Sequence, residues 1–304
     1  MNAPLVWLDA ELRDLDVVPA GVRGEFVVPG VVPTAGLDEV ELFLPGHGWG
    51  DALGGLLARM PSLRVVQTLS AGVDLLGPLV PTGVTLCNGR EVNTVSTAEL
   101  AVALTLSSLR DLPRFVRQQE TGTWEETWGE NLAEQRVLVL GHGSIGQHVG
   151  RLVSAFGAEV VPVARTAREG VHDFAELPAL LPTVDVVVVI VPLTDETRGM
   201  VDEGFLAAMP DGSLLVNVAR GPVADTDALT AACASGRLRA ALDVTAPEPL
   251  PGNHPLWRMP NVTITPHVGG NTHSHAQRSR RLVRDQLARF AAGEPLLNVV
   301  AGQY

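Results

Sequence analysis

Three polar side chains in the second half of the chain could together hold an anion and move a proton. Arg220, Glu248 and His267 each follow a short apolar run that has the composition of a buried β-strand. A guanidinium binds a carboxylate through two parallel hydrogen bonds, and an imidazole exchanges protons near neutral pH. Taken singly, each residue is also explained by a surface charge or an ordinary loop. Together, at the ends of strands in one predicted sheet, they indicate acid–base chemistry on a carboxylate-bearing substrate.

A glycine-rich loop lies upstream of these residues. Gly141, Gly143 and Gly146 form the pattern G-x-G-x-x-G directly after the apolar run 137–140. The apolar residues that follow have helical spacing, so the loop would place the pyrophosphate of a dinucleotide at a helix N-terminus. The alternative is a glycine-rich turn without a ligand. The strand before the loop and the helix after it favour a dinucleotide site.

The end of the next predicted strand indicates which nicotinamide cofactor binds. An NAD site usually has an acidic residue there, about 20 residues past the glycines, but this chain has Ala164 followed by Arg165 and Thr166. Arg168 lies close by. Because guanidinium groups match a 2′-phosphate and a carboxylate would repel it, the sequence favours NADP(H) over NAD(H). Alternatively, the arginines are solvated surface charges and the site does not discriminate between NADP(H) and NAD(H).

Short apolar runs that alternate with helical segments predict two parallel sheets. The segment 97–117 is predicted to be one long helix that links two domains, and 273–292 is an amphipathic helix that packs back on the first domain. The predicted strands are 5–8, 26–28, 42–44, 65–69 and 84–87 in the first part of the chain, and 136–140, 159–163, 185–190, 213–217, 239–243 and 262–265 in the second.

Composition excludes several classes of function. The 304 residues carry a net charge of −12 and contain no lysine, which excludes Schiff-base chemistry and a P-loop lysine. The acidic balance argues against nucleic acid as a partner. Two cysteines are too few for a disulfide framework and match no metal motif. The start of the chain has no signal-peptide pattern and no apolar run is long enough to span a bilayer, so we expect a cytoplasmic protein without a membrane partner.

The ordered set of motifs resembles the D-isomer-specific 2-hydroxyacid dehydrogenases, and within them an NADP-type member similar to glyoxylate/hydroxypyruvate reductases. The resemblance covers nearly the whole chain. The motifs are L-S-A-G-V-D at 69–74, S-T-A-E-L at 96–100, G-H-G-S-I-G at 141–146, V-P-L-T-D-E-T-R-G at 191–199, N-V-A-R-G at 217–221, D-T-D-A-L at 225–229, A-L-D-V-T-A-P-E-P-L at 241–250 and T-P-H-V-G-G at 265–270.

The resemblance implies an α/β fold made of two Rossmann-like or flavodoxin-like parallel-sheet domains with a cleft between them. Residues 1–96 and 276–304 would form a discontinuous substrate domain, and 97–275 the dinucleotide-binding Rossmann domain. It also implies a homodimer built through the cofactor domain. The expected reaction is hydride transfer between NADP(H) and C2 of a small 2-oxo acid or D-2-hydroxy acid.

The same resemblance assigns roles to individual residues. The catalytic residues would be Arg220, which clamps the substrate's carboxylate and carbonyl, His267, the general acid/base, and Glu248, which holds His267. Asp243 would accept a hydrogen bond from the nicotinamide carboxamide. The substrate carboxylate would bind at Ser70, Ala71 and Gly72. The cofactor would bind at Gly141, Gly143, Ser144, Ile145, Gly146, Arg165, Thr166, Val191, Pro192, Thr197, Val218, Ala219, Asp243, Gly269 and Gly270, with no metal.

Other interpretations remain open at this stage. A non-catalytic NAD(P)-sensing protein on the same fold would carry the same residues, and a Rossmann oxidoreductase that acts on amino acids would share the glycine loop. The sequence does not identify the 2-oxo acid. The loop 44–49 could supply an aromatic wall to the substrate pocket, and Arg90 is the candidate contact for a phosphorylated substrate.

Overall fold

The chain forms two compact units in the computed structural model, which describes residues 3–33, 35–46 and 48–301. The first unit comprises Met1–Asn93 and Thr272–Tyr304, and the second comprises Thr94–Asn271. The predicted borders at 96/97 and 275/276 lie a few residues further along the chain. Which unit binds the substrate and which binds the cofactor stays a prediction.

The strands and helices follow one another in an α/β order. The strands are β1 (Leu5–Asp9), β2 (Arg23–Val27), β3 (Val40–Leu44), β4 (Val65–Gln67), β5 (Thr85–Cys87), β6 (Arg136–Leu140), β7 (Glu159–Ala164), β8 (His172–Asp173), β9 (Val186–Val189), β10 (Leu214–Asn217), β11 (Arg239–Leu242) and β12 (Val262–Ile264). The α-helices are α1 (Ala52–Leu57), α2 (Thr94–Leu109), α3 (Leu112–Thr121), α4 (Ser144–Ala155), α5 (Leu177–Leu180), α6 (Glu203–Ala208), α7 (Thr226–Ala234) and α8 (His275–Ala292). Short 3-10 helices lie at Ala10–Leu15, Gly77–Leu79, Leu132–Glu134, Phe174–Glu176, Leu181–Thr183, Gly221–Val223 and Pro255–Arg258.

The second unit is built on a parallel sheet with the order β12-β11-β10-β9-β6-β7-β8 among the described residues. This order is that of a doubly wound dinucleotide-binding sheet with one further strand at the β12 edge. The central strands are almost wholly apolar because both faces are covered. In β6, for example, Leu138 and Leu140 belong to one buried cluster, while Val137 and Val139 belong to the cluster on the other face.

The first unit is built on a smaller parallel sheet with the order β2-β1-β3-β4-β5, which is the flavodoxin-like order. Alternate residues of β1 enter opposite clusters, with Trp7 on one face and Val6 and Leu8 on the other. Helix α8 packs on this unit, as predicted, since Gln286 Nε2 donates to Gln67 Oε1 at 2.7 Å in the buried core. The two sheets confirm the predicted α/β fold class.

One prediction about the elements was wrong, and one strand was missed. The segment 97–117 is not one helix, because Asp111 adopts a left-handed conformation with φ of 53° and separates α2 from α3. The two-residue strand β8 was not predicted. It pairs with Val163 and Ala164 of β7 and does not extend to Pro162. Because Pro162 has no backbone N–H to donate, its place in the middle of β7 is tolerated on the side that faces β8.

Several side chains singled out in the sequence belong to the core. Burial raises the pKa of both Cys87 and Cys233 to about 11, so the two thiols are unreactive structural groups. Trp49 is buried and packs edge-to-face on Phe43, with ring centroids 5.8 Å apart. The predicted aromatic pocket wall at 44–49 is therefore wrong for Trp49, and His47 of the same loop lies outside the described residues.

Candidate active site

The predicted catalytic residues lie on the loops that follow three neighbouring strands. Arg220, Glu248 and His267 come after β10, β11 and β12, which stand side by side in the sheet of the second unit. Because all three strands are parallel, their loops share the carboxyl edge of the sheet. The glycine loop and the loops after β7 and β9 lie at the same edge, so the predicted cofactor residues and the three catalytic candidates belong to one face of this unit.

His267 and Glu248 form a direct side-chain pair. Nδ1 of His267 lies 2.5 Å from Oε1 of Glu248, and both side chains are solvent-exposed. With Nδ1 engaged by a carboxylate, the ring orientation is fixed and Nε2 is left to exchange a proton with a ligand. This is the arrangement expected of a histidine acid/base with a supporting carboxylate.

The backbone of His267 is held in an unusual conformation. Its φ of 52° lies in the left-handed region, which a residue other than glycine adopts at a cost of about 1–3 kcal/mol. The N–H of His267 donates to the carbonyl of Asp243 at 2.8 Å and to that of Thr265 at 3.1 Å. The surrounding structure therefore determines where this side chain begins, as is usual for strained residues at functional sites.

The carboxylate of Asp243 fastens the His267 loop to the end of β11. This buried side chain accepts hydrogen bonds from Thr265 Oγ1 at 2.6 Å and Val268 N at 2.9 Å on Oδ1, and from Gly269 N at 2.9 Å on Oδ2. Oδ2 can accept from one further donor, so it is compatible with the predicted contact to the nicotinamide carboxamide. That contact stays a prediction. The clamp on residues 265–269 was not predicted, because it depends on the folded path of the loop.

The loop that carries Arg220 is packed tightly against the loop that carries Glu248. A Cβ added to Gly221 would lie 1.8 Å from the carbonyl oxygen of Thr245, so only glycine allows this approach. Asn217, which sequence reasoning missed, shapes the same turn: its Oδ1 accepts from Ala219 N at 3.0 Å and its Nδ2 donates to Arg220 O at 3.2 Å. An asparagine that ends an apolar strand is the signal that could have identified it.

The glycine loop has the geometry of a pyrophosphate cradle. Gly141 has φ of 110°, and a Cβ added to Gly146 would lie 1.8 Å from the carbonyl oxygen of Gly141. A Cβ added to Gly143 would meet no atom within 4 Å, so the backbone is open to a ligand there. Ser144 begins α4 directly after this point, which brings the positive end of the helix to the same place. Ile145 is half-buried against the core and supports the loop.

Two arginines follow β7 at the position where an NAD site has an acid. Ala164 ends the strand, Arg165 Nε lies 3.0 Å from Glu196 Oε2, and Thr166 follows. Arg168 Nη2 donates to the carbonyl of His142 at 2.8 Å and lies 3.2 Å from its Nδ1. Burial and, secondly, the Arg168 guanidinium lower the pKa of His142, which keeps this imidazole neutral and able to accept from Arg168.

The loop after β9 is fixed from within. Thr197 is buried, and its hydroxyl donates to the carbonyl of Pro192 at 2.6 Å and accepts from Thr194 N at 2.9 Å. Thr197 therefore shapes this loop through its own backbone contacts. Val191, Val218 and Ala219 are buried behind the same edge of the sheet, and Gly270 follows Gly269 after β12.

The predicted substrate loop follows β4 in the first unit. Ser70 N donates to Thr68 Oγ1 at 3.1 Å. Within the described residues, the N–H groups of Ala71 and Gly72 donate to no protein acceptor. Successive unpaired backbone N–H groups form an anion-binding concavity, so this loop suits a carboxylate.

Asn88 and Gly89, which follow β5, hold the substrate loop in place. Asn88 Nδ2 donates to Ala71 O at 2.9 Å, and Gly89 N donates to Ser70 O at 2.7 Å. A Cβ on Gly89 would lie 2.0 Å from the carbonyl oxygen of Leu69, so glycine is required here. Sequence reasoning missed both residues, although an Asn-Gly pair after an apolar run is a recognisable turn signal.

The described residues contain neither a candidate membrane span nor a candidate metal-binding cluster. No helix in that part of the chain is both long and apolar enough to cross a membrane. In the same residues, no three histidine, cysteine, aspartate or glutamate side chains are grouped so as to hold a metal ion.

Comparison with known proteins identifies relatives across almost the whole chain. Residues 102–269 match the family described as D-isomer specific 2-hydroxyacid dehydrogenase, NAD binding domain. The human glyoxylate reductase/hydroxypyruvate reductase is 35% identical over 249 residues, which is 77% of this chain and 76% of the relative. A D-isomer specific 2-hydroxyacid dehydrogenase from Xanthobacter autotrophicus Py2, solved in complex with NADPH and MES, superposes with a TM-score of 0.84 at 34% identity, over 99% of this chain and 98% of that one. An NADPH-dependent glyoxylate/hydroxypyruvate reductase from Sinorhizobium meliloti, solved with NADP and sulfate, gives a TM-score of 0.85 at 27% identity, over 98% of both chains.

Proposed function

Because the chain belongs to the D-isomer-specific 2-hydroxyacid dehydrogenase family, we propose that it reduces a small 2-oxo acid such as glyoxylate or hydroxypyruvate with NADPH. Membership of the family makes it an NAD(P)-dependent oxidoreductase of small 2-oxo or 2-hydroxy acids. The observation that supports a working catalyst is the His267–Glu248 pair at 2.5 Å, presented by a loop that Asp243 clamps.

The residues of the second unit fit a nicotinamide dinucleotide. The open space beside Gly143 and the close approach of Gly146 to Gly141 O form a cradle that any larger side chain would fill. When bound, the nicotinamide supplies or accepts the hydride at C2 of the substrate. The other requirements of the reaction are a proton for the carbonyl oxygen and a counter-charge for the carboxylate.

We assign the transfer of this proton to His267. In reduction, His267 Nε2 donates a proton to the substrate's carbonyl oxygen, and in oxidation it removes the proton from the hydroxyl. Glu248 keeps Nδ1 occupied, so that Nε2 is the nitrogen that exchanges the proton. Arg220 is assigned to the substrate's carboxylate and carbonyl, where its fork of donors matches both. The unpaired N–H groups of Ala71 and Gly72 in the first unit are assigned to the carboxylate.

Two features support NADPH as the preferred cofactor. Ala164 leaves the end of β7 without a carboxylate, and Arg165 and Arg168 bring two guanidinium groups to the same loop. The relatives solved with NADPH or NADP are consistent with this preference.

The first prediction tests substrate and cofactor together. Purified protein is assayed with glyoxylate, hydroxypyruvate, pyruvate and bulkier 2-oxo acids, each with NADPH and with NADH. We expect kcat/KM for the best substrate to be at least about tenfold higher with NADPH, since a charge-assisted hydrogen bond contributes about 1.5–3 kcal/mol. Arg168→Ala should remove most of this preference, whereas Arg151→Ala, an exposed arginine on α4, should not. Equal or better activity of the wild type with NADH would refute the preference.

We also propose that a second copy of the chain covers α3 and the segment after it. Helix α3 has no buried residue, and Leu112 and Val116 on it are exposed. Trp124 and Trp128 in the following segment are almost fully exposed. Tryptophans are enriched where proteins associate, and a large exposed apolar patch marks such a surface.

The segment with the two tryptophans is fastened to the second unit at its far end. Glu130 N donates to Leu109 O at 2.9 Å, and Arg239 Nη2 lies 2.6 Å from Glu130 Oε2. The two tryptophans are therefore exposed on a segment that is anchored to the second unit. This arrangement suits a homodimer formed through the second unit.

The second prediction concerns this association. The wild type is expected to sediment as a dimer, and the double variant Trp124→Ala/Trp128→Ala as a monomer at micromolar concentration, because hot-spot tryptophans contribute about 2 kcal/mol or more each. Trp257→Ala is the control, because Trp257 is half-exposed in the 3-10 helix Pro255–Arg258, away from this segment in sequence, and its Nε1 donates to Pro251 O. A monomeric wild type, or a double variant that stays dimeric, would contradict the proposal.

A further inference from the structure

An ion pair joins the loops on either side of the glycine loop. In the sheet, β6 lies between β7 and β9. Arg165 follows β7 and Glu196 lies on the loop after β9, and Arg165 Nε is 3.0 Å from Glu196 Oε2. The pair therefore connects the two walls of the crevice at the carboxyl end of β6, which is where a doubly wound domain binds the adenosine half of its dinucleotide.

Glu196 is placed by its loop rather than by Arg165 alone. The next residue, Thr197, is buried and bonded to Pro192 O at 2.6 Å and to Thr194 N at 2.9 Å. Met200 N donates to Thr197 O at 3.2 Å and closes the following turn. The carboxylate of Glu196 thus stands at the crevice on a fixed backbone, while Arg165 reaches it from the opposite wall.

Glu196 has opposite effects on the two forms of a nicotinamide cofactor. A 2′-phosphate that binds Arg165 competes with the carboxylate for the guanidinium and is repelled by its charge. A 2′-hydroxyl meets no such repulsion and can donate a hydrogen bond to a carboxylate, as it does to the acid of NAD sites. Glu196, on the loop after β9, would therefore offer a 2′-hydroxyl the carboxylate that is missing at Ala164.

We propose that Glu196 is a specificity-determining residue that limits the preference for the phosphorylated cofactor. This inference rests on the proposed function in one respect, namely that the adenosine ribose lies beside Arg165. It predicts that the affinities for NADPH and NADH differ less in the wild type than the two arginines alone would make them differ. Removing the charge of Glu196 should therefore increase the preference for NADPH.

The test is the pair of dissociation constants for NADPH and NADH, measured by fluorescence titration of the full-length protein at low salt. For Glu196→Gln, we expect the ratio Kd(NADH)/Kd(NADPH) to rise by about 3- to 5-fold over the wild type, the size of one partly exposed charge interaction. Asp195→Asn is the matched control, since Asp195 is exposed on the same loop and makes the same change in net charge. Its ratio should stay within about twofold of the wild type.

A double-variant cycle shows whether the effect acts through Arg165. In an Arg165→Ala background, Glu196→Gln should change the ratio by less than half as much, because the guanidinium for which phosphate and carboxylate compete is gone. Thermal unfolding of each variant checks that the fold is retained. The proposal is overturned if Glu196→Gln leaves the ratio unchanged, shifts both affinities equally or matches Asp195→Asn. A wild type that prefers NADH refutes the proposed cofactor preference, but the shift caused by Glu196→Gln is still measured against that starting ratio.

Discussion

His267→Ala is expected to lower kcat/KM for the 2-oxo acid by at least about 10³-fold, because a positioned general acid contributes about 10²–10⁴ to the rate. The Kd for NADPH should stay within about threefold of the wild type, since the assigned role of His267 is to protonate the substrate. Steady-state assays with the best 2-oxo acid, together with fluorescence titration of NADPH, measure both quantities.

His148→Ala is the control for this prediction. His148 lies on α4 in the same unit, and its Nδ1 is 2.6 Å from Arg151 Nη2, so it is also a histidine with a charged neighbour. It has no assigned part in catalysis, and the variant should keep kcat/KM within about twofold, as surface substitutions usually do. If His267→Ala retains more than a tenth of the wild-type activity, the assignment of the proton to this residue is wrong.

Much of the fold was predictable because it depends on local patterns. Five apolar runs in the first part of the chain and six in the second each overlap a parallel strand. The central strands are apolar throughout because both of their faces are covered. The edge strand β2 was found only from its apolar end, since Arg23 and Glu25 are exposed. The positions of Arg220 and His267 followed from the same patterns, because a polar residue directly after a buried strand lies at the edge of the sheet where ligands bind.

The features that sequence reasoning missed depend on contacts between distant segments. Asp243 was predicted to bind a ligand, but its carboxylate also clamps a loop more than 20 residues away, and this requires the folded path of residues 265–269. The ion pair of Glu196 with Arg165 joins two loops that no local pattern connects. The interruption at Asp111, in contrast, has a local cause. Pro113 at the start of α3 has no backbone N–H for a continuous helix and disfavours the helical conformation of the residue before it. The apolar periodicity that continues through it obscured this signal.

The first unit also contains features that depend on contacts between distant segments of the chain. Its substrate loop was identified from a motif, but its support comes from Asn88, whose N–H donates to Asn298 O at 3.0 Å near the end of the chain. The bond between Gln286 and Gln67 likewise spans most of the sequence. Glutamine and asparagine at such positions read as surface residues until the chain returns and buries them, because their partners lie far away in the sequence.

Asp243→Ala is expected to lower both stability and turnover by large amounts. The substitution leaves Thr265 Oγ1, Val268 N and Gly269 N without their acceptor, at about 1–3 kcal/mol for each buried group that stays unpaired. At about 2–4 °C per kcal/mol for a unit of this size, the melting temperature should fall by roughly 6 °C or more. Because the clamp also sustains the left-handed backbone of His267, kcat should fall by about 10²-fold or more, the effect of a misplaced catalytic group.

Asp243→Asn separates this clamp from the predicted contact with the nicotinamide. The amide keeps one oxygen for the loop but turns the other acceptor into a donor that faces an N–H group, so the variant should fold and still misplace His267. Assayed well below its melting temperature, it should lose kcat while its Kd for NADPH stays near that of the wild type. A higher Kd with unchanged kcat would instead assign Asp243 to the cofactor.

Asp225→Ala is the control for stability alone, because Asp225 accepts from Asp227 N at 2.9 Å and Ala228 N at 3.0 Å at the start of α7 and has no assigned part in catalysis. Its melting temperature should fall and its kcat should not, since a lost helix cap does not move the His267 loop.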